Sequence, residues 1–132
     1  MTGGSDRPDV GVGAVVIDDG RILLVQRSRD PGAGLWAVPG GKVNRGETMR
    51  EAVRREVAEE TGLDVVVGDV VWVGEVIDVG HHLVLVDFAA ELVGGSLVAG
   101  DDAGDARWVP LGDTGRYPLT PTMHDLLDTL PT

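Results

Sequence analysis

The chain has no cysteine, few aromatics, few cations and no long apolar run near its start, and each shortage closes off a class of function. Zero cysteine in 132 residues rules out disulfides, thiolate catalysis and cysteine-based zinc sites. It also fits a reducing compartment, so a cytoplasmic location is expected. Eleven Lys and Arg stand against 22 Asp and Glu, a formal net charge of −11. Such a surface repels phosphate backbones, and a nucleic-acid polymer is not the expected partner. A small anionic substrate stays open if bound cations invert the local field. The apolar run at 10–17 is far too short to span a bilayer, so no membrane association is expected. Residues 1–9 lack the successive regions of a signal peptide and read as a flexible tail. Residues 10–132 then make a single domain. Trp36, Trp72, Phe88, Trp108 and Tyr117 are the aromatics. They read mainly as core packing, with one available to stack on a base.

Between these limits the chain alternates β-branched segments with one long and one short helical pattern. Val10–Ile17 and Ile22–Arg27 flank Asp18-Asp19-Gly20, the pattern of a hairpin with an Asp-Gly turn. Leu35–Val38 predicts a short strand, stopped by Pro39-Gly40-Gly41. Thr48 and Glu51 form a capping-box pattern that opens a helix, and Gly62 suits its C-terminal end. Val65–Val79, with a break near Gly74, His82–Leu92 and Arg107–Val109 predict further strands. Between the last two lies a long acidic, glycine-rich loop, 94–106. Thr120-Pro121 predicts the start of a closing helix that ends near Leu130. The expected architecture is α/β, a mixed sheet flanked by helices.

The central helix carries an arrangement that ordinary helices avoid. Glu56 and Glu60 are a like-charge i,i+4 pair. With Glu59 they crowd the C-terminal half, where the macrodipole disfavours negative charge. At about 100° per residue, Met49, Ala52, Val53 and Val57 form the apolar stripe, and Glu56 and Glu60 fall inside it. Glu59 sits at its edge and Arg55 on the solvent-facing arc. Carboxylates aimed at a partly buried surface need a partner or a metal. Oxygen ligands in this number suit a hard divalent cation. Zinc is a poor alternative, because the cluster offers neither sulfur nor imidazole. His81 and His82, adjacent on a strand, face opposite sides and read as plain strand residues.

Gly41 to Leu63 reads GKVNRGETMREAVRREVAEETGL. This resembles the Nudix box, GX5EX7REUXEEXGU with U aliphatic, and every fixed position is filled. The preceding Pro39-Gly40-Gly41, the LLVQR strand and the ARWVPL segment are similar to the same family. The resemblance implies a Nudix-type α/β/α sandwich that hydrolyses a nucleoside diphosphate linked to another moiety. It implies Mg²⁺, with Mn²⁺ as the alternative, and a small-molecule nucleotide as substrate. Glu56, Glu59 and Glu60 would be the main metal ligands, with the Gly41 carbonyl and Glu47 completing the shell. Arg55 would hold and orient the carboxylates. Gly40, Gly41 and Arg27 would line the substrate's phosphates, with Lys42 and Arg45 flanking the loop. The general base would be Glu56 or an aspartate of the 94–106 loop, where Asp101, Asp102 and Asp105 stand and Asp102 is the closest match. Oxidised or ordinary nucleoside triphosphates come first among the implied substrates, then ADP-ribose or another nucleotide sugar. A non-catalytic nucleotide-binding or regulatory module is the alternative. Relatives often dimerise, which leaves a homodimer open.

Overall fold

The computed structural model describes residues 7–30, 32–100 and 103–130. In chain order these form β1 (Asp9–Asp18), β2 (Arg21–Arg27), β3 (Trp36–Ala37), β4 (Gly40–Lys42), α1 (Met49–Thr61), β5 (Leu63–Asp78), β6 (His81–Gly95), β7 (Ala103–Pro110), a 3-10 turn at Leu111–Arg116 and α2 (Pro121–Thr129). The strands make a mixed sheet in the order β3-β2-β1-β6-β5, with β4 also on β1 and β7 also on β2. This is the α/β architecture the sequence predicts. No helix among the described residues is long and apolar enough to cross a membrane.

Strand β1 is the spine. Residues 9–16 pair in parallel with 83–90 of β6, while Gly11, Val12 and Gly13 pair antiparallel with β4. Its last residues turn into the hairpin with β2. Asp19 and Gly20 both take positive φ, 52° and 74°, as a two-residue hairpin turn requires. Residues 11–16 are buried on both faces, which explains a continuous apolar run in place of alternation. On one face Val12, Ala14 and Val16 pack with Val53 and Val57 of α1 and Phe88 of β6. On the other, Val15, Ile22, Leu24 and Trp36 pack with Met123 and Leu126 of α2.

Four expectations about the strands need correction. β5 runs unbroken past Gly74, which pairs in register with Leu85. Its irregularities lie between Asp64 and Val65 and between Val67 and Trp72, and a Cβ on Gly74 would strike the Trp72 ring at 2.1 Å. The 94–106 loop is shorter than expected, since β6 continues to Gly95 and β7 begins at Ala103, where small residues hide the strand pattern. Leu35 and Val38 fall outside β3, and β4 is a glycine-rich strand that propensity does not reveal. Asp9 opens β1 instead of ending the tail.

Helix α1 starts at Thr48, whose side chain accepts from the Glu51 N–H while Glu51 accepts from the Thr48 N–H at 2.9 Å. Gly62 closes it in the left-handed region, φ 73°. Met49, expected in the buried stripe, is 41% exposed. Thr48→Ala is expected to cost about 1 kcal/mol in urea unfolding, with Thr48→Ser close to wild type.

Candidate active site

The acidic residues converge where α1 crosses the β4 strand, and Arg55 organises them. Its Nε and Nη2 donate to the two oxygens of Glu47 at 2.7 and 2.9 Å, a bidentate fork. Its Nη1 donates to Glu56 Oε1 at 2.5 Å and, more loosely, to Glu59 Oε2 at 3.5 Å. Nη2 also donates to the Lys42 carbonyl at 3.1 Å, which ties the helix to β4. One guanidinium therefore bridges three carboxylates from two segments. Arg55 is half-buried rather than on the solvent-facing arc, since these partners draw it inward. Its fork, with the Asn44 N–H, holds the Glu47 carboxyl down to about 2.

Glu60 turns the other way. Its Oε1 accepts from the Gly40 N–H at 2.9 Å. Burial pushes its pKa up to about 8, and neighbouring Glu56 adds to the rise. The Gly40 N–H and the positive charge of Arg27 act in the opposite sense. Gly41 lies against Glu56, and a Cβ there would fall 2.6–2.8 Å from its carboxyl. Glycine leaves the carboxyl room to lie there. Gly40 is similarly constrained, since a Cβ would meet the Val12 carbonyl at 2.0 Å. Glu47, Glu56, Glu59, Glu60, Gly40 and Gly41 are thus brought together as expected, and Arg27 is near enough for its charge to act on Glu60.

Does this cluster suit a divalent cation? Among the described residues no three of His, Asp or Glu converge tightly enough as they stand, because the Arg55 guanidinium lies among Glu47, Glu56 and Glu59. The donor chemistry does fit. Glu56 and Glu60 are adjacent and mutually repelling, so the pair is better off with a proton or cation between them. Gly41 leaves open backbone beside them.

Other expected residues divide clearly. Asp101 and Asp102 lie outside the described residues. Asp105 is in β7, where its carboxyl accepts from the Ala106 N–H and from Arg107 Nε at 2.8 and 2.9 Å. Lys42 pairs with Asp9 at 3.1 Å and Arg45 is exposed. His81 and His82 flank the β5–β6 turn, and His82 meets Glu75 at 3.2 Å. Trp36 is buried edge-on against Tyr117.

Two features escaped the sequence. The Val98 and Gly100 N–H groups donate to the Thr61 and Glu60 carbonyls at 2.9 and 2.8 Å, docking the loop on the end of α1. A Cβ on Gly100 would lie 1.8 Å from the Glu59 carbonyl. The second is Asp87, only 2% exposed, whose Oδ1 has no partner among the described residues. Its only signal was an acid inside an apolar strand.

A model of the NUDIX domain matches residues 7–130. The chain belongs to the Nudix family. It is 40% identical over 108 residues to an "ADP-ribose pyrophosphatase" of Methanocaldococcus jannaschii, covering 80% of this chain but 64% of that relative. It is 51% identical over 51 residues to an "Oxidized purine nucleoside triphosphate hydrolase" of Danio rerio, covering 39% of this chain and 33% of the relative. Among solved structures, a MutT NUDIX hydrolase from Burkholderia pseudomallei superposes with a TM-score of 0.85 at 36% identity. That match covers 96% of this chain and all of the other.

Burial raises the Asp87 carboxyl from the ordinary 3.8 to about 7. A folded pKa above the unfolded one means that the folded protein keeps a proton the unfolded chain has released. Stability from this group is therefore complete below about pH 4 and is lost as pH rises through about 7. Asp87→Asn is expected to flatten the fall in unfolding free energy between pH 4.5 and 7.5 by on the order of 3 kcal/mol. Denaturant titrations at several pH values read this directly, and an unchanged slope contradicts it.

Proposed function

We propose that this Nudix domain is a metal-dependent pyrophosphohydrolase that cleaves a nucleoside diphosphate linked to another moiety. The observation that carries the reading is the Arg55-centred cluster, with Glu56 and Glu60 set beside the side-chain-free backbone of Gly40 and Gly41. A solvated acidic helix face needs neither the glycines nor a shared arginine. The names of relatives point to ADP-ribose and to oxidised nucleoside triphosphates, and both remain within the proposed class.

Glu56, Glu59, Glu60, Glu47 and the Gly41 carbonyl would hold Mg²⁺ or Mn²⁺. The ion would neutralise phosphate charge and acidify water. The chain's own residues do the rest. Arg55 orients the Glu47 and Glu56 carboxylates beside β4, and a cation would draw them together from there. Arg27, which acts electrostatically on Glu60, supplies positive charge for the substrate's phosphates in a protein of net charge −11. Glu56 takes the proton from the attacking water, with Asp102 as the second candidate base. Val98 and Gly100, which precede residues 101–102, are docked on the Thr61 and Glu60 carbonyls at the end of the same helix. The absence of cysteine suits operation in the cytoplasm.

Purified protein with Mg²⁺ or Mn²⁺ should hydrolyse at least one member of a panel of canonical and oxidised nucleoside triphosphates, ADP-ribose and nucleotide sugars. Glu59→Gln and Glu60→Gln should each lower kcat by about a hundredfold or more. Turnover that survives chelation and both substitutions would refute the metal-dependent mechanism. Tight binding of a nucleotide without turnover would make the domain a binding module.

A further inference from the structure

Among the described residues, Asp87 alone combines a charged side chain with almost complete burial. It belongs to one row of the sheet: Gly40 pairs with Gly13, Gly13 with Asp87, and Asp87 with Trp72. One end of the row is the glycine whose N–H holds Glu60, within the acidic cluster. Neighbouring strands are about 4.8 Å apart, so Asp87 sits two strands, about 10 Å, from Gly40. Asp87 lies on the face opposite α1, so a nucleoside attached to a phosphate held at the cluster reaches it by passing over Gly40.

The floor of this region is bare. A Cβ on Gly13 would lie 2.2 Å from Asp87 Oδ1, and one on Gly74 would lie 2.1 Å from the Trp72 ring. Both side chains therefore lie low along the sheet. Val38, whose methyl would stand 3.1 Å from that same added Cβ, and Trp72 are only half-buried, so the cover over the acid is thin. A carboxyl without a donor is poorly matched to such apolar surroundings. A planar ring with an amino group would supply the donor, and Trp72 offers it a flat neighbour.

We propose that Asp87 is a specificity-determining residue, its free Oδ1 accepting a hydrogen bond from the amino group of the substrate's nucleobase. This rests on the nucleotide-hydrolase reading for the substrate's identity, but it is a claim about a different residue. Once the carboxyl is ionised, above about pH 7, a base with an amino group satisfies the acceptor and a carbonyl in the same place leaves it unpaired. Amino-bearing bases are preferred over their carbonyl counterparts.

The test compares matched pairs, adenine with hypoxanthine and cytosine with uracil. Nucleoside monophosphate binding is measured by calorimetry with chelator present, and kcat/KM is measured on the triphosphates with Mg²⁺. Wild type should favour the amino member of at least one pair by about tenfold or more. Asp87→Val should cut that preference below about threefold by weakening the amino member alone, chiefly through KM. Asp87→Asn, closer in shape, guards against a packing artefact and should also change the preference. A wild type without preference, or a preference that both variants keep, overturns the inference. Hydrolysis with no dependence on Asp87 leaves the hydrolase reading standing and removes this one. Asp87-dependent binding without hydrolysis does the reverse, and neither binding nor hydrolysis of any nucleotide with Mg²⁺ present overturns both.

Discussion

Arg55 places one positive charge among three carboxylates, and the geometry of the acidic helix depends on it. Glu56, Glu59 and Glu60 share one helix end with no basic residue in its last turn. Left alone, they would repel one another and the helix dipole. A surface ion pair would offset little of this. Here the fork to Glu47 is bidentate and partly buried, the arrangement in which such pairs are strongest. Because Arg55 also reaches the Lys42 carbonyl, the same side chain fixes the helix against β4. A lysine could supply the charge but not the planar fork.

Close approach of backbone is the second constraint, and β1 imposes it. That strand is paired to β4 on one side and β6 on the other, so anything attached to it is held to within a strand's spacing. Gly13, Gly40 and Gly41 lack the atoms that would otherwise keep the acidic helix and Asp87 away from it. Three glycines thus do for the backbone what Arg55 does for the side chains. The loop beyond β6 is pinned in the same manner, by N–H groups donated to the free carbonyls at the end of α1.

Much of this was legible in the order of residues, for identifiable reasons. Capping at Thr48, the Asp-Gly hairpin and the box spacing are local, and local signals survive translation into structure. The glutamates inside the apolar stripe announced a site because solvation could not explain them. What stayed hidden is relational. Gly40–Lys42 is a strand only because β1 lies beside it, and Gly74 interrupts nothing because the Trp72 ring fills its place. Arg55 looked solvent-facing on a helical wheel, which cannot show that Glu47 and Lys42 reach it from outside the helix. Asp87 passed as one polar residue in a strand, since nothing local shows that its carboxyl fills the space Gly13 leaves on the neighbouring strand.

The central proposal is that these carboxylates, oriented by Arg55, close on a divalent cation when one is supplied. Titration of Mn²⁺ into substrate-free protein, followed by electron paramagnetic resonance, tests it without assuming any substrate. Saturable binding that weakens by about tenfold or more in Glu56→Gln is the predicted result. No binding in the wild type, or binding that Glu56→Gln leaves intact, would contradict it.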